Sequence, residues 1–133
     1  MRIIIDATGA VYGRLSSYAA KQALEGNEII ILNSEKVIIT GNKEDILNKH
    51  KELRHKGGHS RKGPKYISIA YRILKRGIRG MLPNHRWGQG KQAFLRIKCY
   101  NGIPEEFKDG KKKTFQKPRH NKYLTLKEVI EDL

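Results

Sequence analysis

Residues 28–32, Glu-Ile-Ile-Ile-Leu, decide the fold class of this chain. Four large apolar residues follow one another here without a polar residue between them, which predicts a strand that is buried on both faces. Strands of this kind belong to parallel sheets whose faces are covered by helices. The run therefore indicates a helix-covered, parallel sheet.

A strand and a helix precede this run. Arg2–Ile5 is a β-branched stretch that ends at Asp6, and a glycine-containing turn leads from it into residues 14–24. Apolar residues recur at helical spacing in that segment, and Gly26 stands where a C-terminal cap is expected. The order strand, helix, strand is typical of the α/β class.

Further elements are predicted on the C-terminal side. They are a strand over 37–40, a helix from Lys43 to about His55 with Asn42 as its N-cap, a helix over 69–82 ended by Pro83, and a strand around 96–100. Residues 56–65 and 84–92 are predicted to be basic loops, because glycine and cations replace large apolar residues there.

The length of 133 residues indicates a single domain, which we place over 1–104 as an α/β domain. Residues 105–133 are predicted to form a basic, extended tail with a short terminal helix. A membrane-spanning helix needs about 20 apolar residues, and the longest apolar runs here have three or four. The N-terminus also lacks the apolar stretch of a signal peptide, so we expect a cytoplasmic protein without a membrane partner.

The positive charge is concentrated in the middle of the chain. The net charge is +15 overall, zero over residues 1–40 and +13 over residues 41–99. Between Glu52 and Glu105 there is no acidic residue, whereas 13 Lys or Arg occur there. Such self-repulsion is tolerable in a folded domain when a polyanion supplies the counter-charge, so the pattern favours a nucleic-acid partner.

The predicted helix over 69–82 separates apolar from basic side chains. Its apolar side contains Ala70, Ile73, Leu74, Ile78, Met81 and Leu82. Its other side contains Arg72, Lys75, Arg76 and Arg79, which we call the basic stripe. A merely solvated helix face usually includes some Asp or Glu, and this one includes none, which favours binding.

Basic loops, aromatic residues and a basic tail suit the uneven surface of folded RNA better than a DNA duplex. Beyond the basic stripe, the RNA-binding candidates are Arg54, Lys56, His59, Arg61, Lys62, Lys65, Arg86, Trp87, Lys91, Lys111, Lys112, Lys113 and Arg119. For Trp87, packing in the core is an equally open alternative.

Catalysis and metal binding find no support in the sequence. Gly9 and Gly13 have neither the spacing of a dinucleotide fingerprint nor that of a phosphate-binding loop. Two glycines, Gly57 and Gly58, lie between His55 and His59 and oppose a helix that would bring them together, and the single cysteine, Cys99, excludes an internal disulfide or a cysteine-based zinc site. No nucleophile and base can be paired, so we expect no enzymatic activity, no cofactor, no metal and no small-molecule substrate.

Six short motifs form a pattern along the chain. They are Asp6-Ala7-Thr8-Gly9 with Gly13-Arg14-Leu15, Asn33-Ser34-Glu35-Lys36-Val37, Thr40-Gly41-Asn42-Lys43, Gly63-Pro64, Arg79-Gly80-Met81-Leu82-Pro83, and Tyr100-Asn101-Gly102-Ile103-Pro104. In this order they resemble the universal large-subunit ribosomal protein thirteen family. The ending of the series and residues 122–126 resemble its archaeal-type members.

The resemblance implies a three-layer α/β/α domain around a mainly parallel, four-stranded sheet. It also implies a structural and assembly protein in the cytoplasmic ribosome, bound to large-subunit ribosomal RNA beside other large-subunit proteins. At matching positions, Arg14, Lys43 and Arg79 are implied RNA contacts, while Gly13, Gly63, Pro64, Gly80 and Pro83 are implied to shape the backbone. A free-standing RNA-binding translational regulator stays open as the alternative, and a nucleotide-using enzyme as a more distant one.

Overall fold

Eleven helices and strands make up the fold in a computed structural model, which describes residues 1–56, 67–115 and 122–131. In chain order they are β1 (Arg2–Asp6), α1 (Tyr12–Leu24), β2 (Glu28–Leu32), β3 (Ile38–Thr40), α2 (Lys43–His55), α3 (Ala70–Gly80), α4 (Gly88–Leu95), β4 (Ile97–Cys99), β5 (Lys113–Thr114), β6 (Tyr123–Thr125) and α5 (Leu126–Glu131). Two 3₁₀ turns cover Ser34–Lys36 and Glu105–Phe107.

Four strands form a parallel sheet in the order β4-β2-β1-β5. The central pair is in register from Arg2 opposite Glu28 to Asp6 opposite Leu32. A separate two-stranded, antiparallel sheet joins β3 to β6. The α/β class and the four-stranded parallel sheet are confirmed.

Both faces of β2 are buried, as its apolar run predicts. Ile29 and Ile31 belong to the main core cluster, which also contains residues of α1, α3 and α4. Ile30 and Leu32 point to the opposite face, where they pack with Phe107 of the second 3₁₀ turn. Alternate side chains of one strand therefore belong to two cores.

Small side chains allow α1 to lie close to its neighbours. Ala19, Ala20 and Ala23 are buried on the side that packs in the main core. After the helix Gly26 takes a φ of +99°, a left-handed conformation that glycine adopts without steric cost. The guanidinium of Arg96 donates a hydrogen bond of 2.9 Å to the carbonyl oxygen of Ala23, which ties this helix end to the residue before β4.

Residues 105–115 and 122–131 contribute to both sheets and to the core, a role that their composition does not indicate. Strand β5 extends the parallel sheet at β1. Leu126 is fully buried in the main core, and Leu124 and Val129 pack with Ile46 of α2. The short terminal helix is present as α5.

Two boundary predictions around Pro83 are wrong. Helix α3 ends at Gly80 rather than Leu82, because the chain must turn before a proline that cannot continue the helix. Met81, expected on the packed side, is consequently 46% exposed. Helix α4 begins at Gly88, inside the predicted loop over 84–92.

Cys99 is buried in the main core. Burial raises the pKa of its thiol to about 12, although the nearby charge of Lys75 acts in the opposite direction. Over the three ranges that the structure describes, no helix combines the length and the apolar character needed to cross a membrane.

Candidate nucleic-acid interface

The four cations of the basic stripe line one cavity along α3, which we call the α3 groove. Its volume is about 210 Å³, and its apolar lining comes from Ile67, Ile73 and Phe94. Buried residues on the opposite side of α3, Leu74 and Ile78 among them, pack in the main core. The amphipathic pattern thus anchors the helix by one side and presents its cations on the other.

Phe94 of α4 forms the far wall of the groove and holds one of the cations in place. The ammonium of Lys75 lies 4.8 Å from the centroid of the Phe94 ring, within the range of a cation–π interaction. An ammonium held in this way stays within the groove. The aromatic ring also offers a face on which a nucleic-acid base can stack.

Helix α1 fixes the position of α3 through a close contact. The hydroxyl of Tyr12 donates a hydrogen bond of 3.0 Å to the carbonyl oxygen of Ile73. A Cβ atom on Gly77 would overlap the Tyr12 hydroxyl, so only glycine allows this approach. The basic stripe therefore stands on a rigidly packed support.

Arg54 connects α2 to the segment that leads into α3. Its guanidinium donates a hydrogen bond of 2.8 Å to the Ser68 hydroxyl. Lys56, directly after α2, and Lys43, the first residue of α2, are both exposed. Arg14 is exposed near the start of α1.

The connection between α3 and α4 presents an exposed aromatic residue between cations. Trp87 is 65% exposed and is the N-cap residue of α4, so the structure favours accessibility over core packing for this side chain. Arg86 and Lys91 flank it and are exposed. Lys91 follows Trp87 by one helical turn.

Lysines of the tail lie away from the α3 groove. Lys113 belongs to β5, at the sheet edge opposite β4, whereas α3 contacts β4. Its ammonium donates a hydrogen bond of 2.8 Å to the Tyr18 hydroxyl and lies 4.3 Å from that ring's centroid. Lys112 donates to the carbonyl oxygen of Lys108, and Lys111 is exposed. These cations form a second basic area.

Several predicted site residues lie outside the described residues. They are His59, Arg61, Lys62, Gly63, Pro64, Lys65 and Arg119. Among the other backbone-shaping candidates, Gly13 and Gly80 lie where a Cβ atom would meet open space. The carbonyl oxygen of Pro83 lies so close to Gly90 that a side chain there would overlap it.

The carboxyl ends of β1 and β2 carry polar groups that contact one another. One carboxylate oxygen of Asp6 accepts hydrogen bonds from the Thr8 hydroxyl at 2.7 Å, the Thr8 N–H at 3.1 Å and the Asn33 amide at 3.0 Å. Burial raises the pKa of Asp6, but these bonds and the charge of Lys36 outweigh it and hold the pKa below its ordinary value. Glu35 accepts a hydrogen bond from the Gly102 N–H.

α/β enzymes bind their ligands at the carboxyl ends of the strands. In this protein the polar groups at that end of β1 and β2 hydrogen-bond to one another. Asn33, with a φ of +57°, and Asp6 stabilise the turns through their mutual hydrogen bond. In the part of the chain that the structure describes, no three His, Cys, Asp or Glu side chains are grouped as metal ligands.

Residues of the α3 groove were missed by sequence reasoning where they are apolar. Phe94 and Ile67 line the groove, but neither stands in a charged pattern. Phe94 could have been noticed in the sequence, because it is the single aromatic residue in the apolar stretch that follows Gln92. Gly77 gave no signal, because its importance depends on a contact with α1.

Comparison with known proteins agrees with this architecture. The family described as "Ribosomal protein L13" matches residues 1–106. The chain is 48% identical over 108 residues to the large ribosomal subunit protein uL13 of Thermoplasma acidophilum, covering 81% of this chain and 78% of that protein. It is 42% identical over 133 residues to the protein of the same name from Methanocaldococcus jannaschii, covering 98% and 96%.

A further relative with the same name, from Archaeoglobus fulgidus, is 38% identical over 135 residues, covering 95% of this chain and 83% of that protein. The match to the family covers β1 to β4 and includes the whole α3 groove. The chain therefore belongs to the ribosomal protein L13 family, a family of structural proteins rather than of enzymes.

Proposed function

We propose that this protein is a structural constituent of the large ribosomal subunit that binds and organises large-subunit ribosomal RNA, during assembly and in the mature ribosome. It works beside neighbouring large-subunit proteins in the cytoplasm. The relatives from three archaea carry the name of a large-subunit protein, which supports this placement.

The observation that carries the RNA-binding part is the α3 groove. The groove is lined by all four cations of the basic stripe, Arg72, Lys75, Arg76 and Arg79. The sequence between Glu52 and Glu105 contains no acidic residue that could neutralise their charge. A row of cations on a packed helix is a surface that can neutralise several phosphates of one RNA backbone.

The proposed binding mechanism is the neutralisation of RNA phosphates by the Lys and Arg side chains of the groove. Each phosphate neutralised by Lys or Arg releases condensed counterions, which makes the affinity fall as salt rises. The apolar lining and the Phe94 ring add base stacking, which depends less on salt. The sheet and α1 supply the rigid support, so the RNA meets a surface that is already ordered.

The test replaces the basic stripe by Arg72→Gln, Lys75→Gln, Arg76→Gln and Arg79→Gln together and measures binding to large-subunit ribosomal RNA by filter retention between 50 and 300 mM salt. We expect weaker binding and a salt slope that falls by about one unit for each phosphate that no longer meets a cation. Arg72 and Arg76 are exposed, and Lys75 and Arg79 are half-buried with the Lys75–Phe94 contact as a packing interaction at stake, so the unfolding midpoint is expected to change only modestly.

The matched control removes four exposed lysines elsewhere: Lys21→Gln, Lys36→Gln, Lys108→Gln and Lys127→Gln. It changes the net charge by the same amount as the stripe variant. We expect it to retain most of the affinity and of the salt slope. Equally weakened binding in both variants would mean that only the overall charge matters, and the α3 groove would then have no special role.

A further inference from the structure

A second cavity lies next to the α3 groove, between α3 and α2. We call it the α2–α3 cleft. Its volume of about 540 Å³ lies within the range of sites that enclose small molecules. Arg76 and Ile73 line both the cleft and the α3 groove, so α3 is a ridge between two adjoining cavities.

Apolar and aromatic surface forms the walls of the cleft. Ile46 and Leu53 of α2 face it from one side and Ile73 of α3 from the other, and Tyr12 adds an aromatic ring. The hydrogen bond from Tyr12 to Ile73 holds that ring in position. A flat, apolar-faced ligand fits such walls, and a nucleobase has this shape.

The charged groups that line the cleft are one carboxylate and two cations, and Thr40, Asn42 and His50 add uncharged polar or imidazole groups. Asp45, in the first turn of α2, is exposed and lines the cleft. Within the described ranges its carboxylate makes no hydrogen bond or ion pair, so it is available to a ligand. Lys49 and Arg76 add positive charge to the lining.

A carboxylate discriminates between bases by its two parallel acceptors. Guanine presents two adjacent donors, N1–H and the N2 amino group, which pair with both oxygens. Uracil places its single N–H between two carbonyl oxygens, which a carboxylate repels. Adenine and cytosine place an acceptor beside their amino group, so they pair with one oxygen at most.

We propose that the α2–α3 cleft binds an unpaired guanine nucleotide of the RNA, with Asp45 accepting from its base edge while Lys49 and Arg76 face its phosphates. This inference rests on the proposed RNA binding, because Arg76 links the cleft to the groove that follows the backbone. The cleft thereby adds recognition of a base to a surface that otherwise contacts only the phosphates of the RNA backbone.

The experiment is an amide-resolved NMR titration of the labelled full-length chain with GMP, with UMP and with inorganic phosphate as separate probes. We expect GMP to shift the amides of Gly41, Ile46 and Gly77 in a saturable manner. UMP and phosphate should bind at least fivefold more weakly at these amides. Asp45→Asn should raise the Kd for GMP by roughly tenfold.

Glu44→Gln is the matched control, since Glu44 also lies in the first turn of α2 but does not line the cleft. Both variants remove one negative charge, and only Asp45→Asn is expected to weaken GMP binding. Absent GMP shifts, equal shifts with UMP or phosphate, or equal effects of the two variants would overturn base recognition. Binding of ribosomal RNA, measured on the same preparations, separates this proposal from the proposed function. If base recognition fails but the chain still binds ribosomal RNA, only the cleft proposal is refuted. If the chain does not bind ribosomal RNA either, both proposals are refuted.

Discussion

Asp6 concentrates three hydrogen bonds on one carboxylate oxygen and thereby joins the ends of β1 and β2. Replacing it by alanine leaves the buried Asn33 amide and the Thr8 N–H without this acceptor. A hydrogen bond to a charged group contributes about 1.5–3 kcal/mol. Because the three bonds share one oxygen of a half-buried carboxylate, we expect their contributions not to add, and Asp6→Ala to lower the free energy of unfolding at pH 7 by about 2 kcal/mol, the value of one such bond. Urea denaturation measures this, with Glu25→Ala as an exposed control that changes little.

The same residue predicts a pH dependence. Its pKa in the folded protein is below the ordinary value, so its stabilisation is complete above the unfolded-state pKa near 4 and is lost as pH falls through the folded pKa. The difference between wild type and Asp6→Ala should therefore shrink below about pH 4. A difference that stays constant from pH 7 to pH 3 would contradict the role of the ionised carboxylate.

At the scale of elements, the packing of α3 on α1 depends on Gly77. A glycine-to-alanine change inside a helix normally stabilises by up to about 1 kcal/mol. Here the new Cβ would displace Tyr12 and break its bond to Ile73, so we expect Gly77→Ala to destabilise by about 1–3 kcal/mol. The measurement is the free energy of unfolding in urea.

Gly80→Ala is the internal control, because it changes the same helix where a Cβ meets open space. It should be neutral or stabilising. Adding Tyr12→Phe to Gly77→Ala should recover part of the stability, since the hydroxyl is the atom most strongly overlapped. If Gly77→Ala is as stable as Gly80→Ala, the close contact between α1 and α3 does not exist.

Elements differ in how well the sequence predicts them. Apolar runs predict strands β1 and β2, and helical periodicity predicts helix α3. The bounds of these elements in the structure lie within a few residues of the predicted bounds. Helix α4 has glycines at its first and third positions, Gly88 and Gly90, and glycine opposes helix formation. The carbonyl oxygens of Pro83 and Asn84 lie so close to Gly90 that only glycine fits there, a contact that the sequence does not show. Strand β5 has two exposed polar residues, which carry no strand signal.

At the scale of the whole molecule, the C-terminal segment closes the core. Leu126 is fully buried in the main cluster, and its N–H donates to the carbonyl oxygen of Val37. We expect Leu126→Ala to cost about 2–5 kcal/mol of unfolding free energy, against about 0.5 kcal/mol or less for the 61% exposed Leu95. Equal, small effects at both positions would mean that the segment after residue 121 is a dispensable tail.

The whole molecule also shows where sequence reasoning stops. The charge pattern identified the basic stripe, because four cations at helical spacing are visible in one segment. The α2–α3 cleft was not visible, since its lining comes from α1, β3, α2 and α3, which only the fold brings together. Long-range pairings such as β3 with β6 were hidden for the same reason.

The most direct test of the central claim is a sucrose-gradient profile of a lysate from the source cells, probed for this chain at low and at high salt. A structural constituent with a large buried RNA contact is expected in the large-subunit peak at both salt concentrations. The stripe variant, expressed in its place, is expected to shift toward the top of the gradient at high salt. A wild-type chain found free near the top at both salt concentrations would contradict a ribosomal role and favour a free-standing RNA-binding regulator.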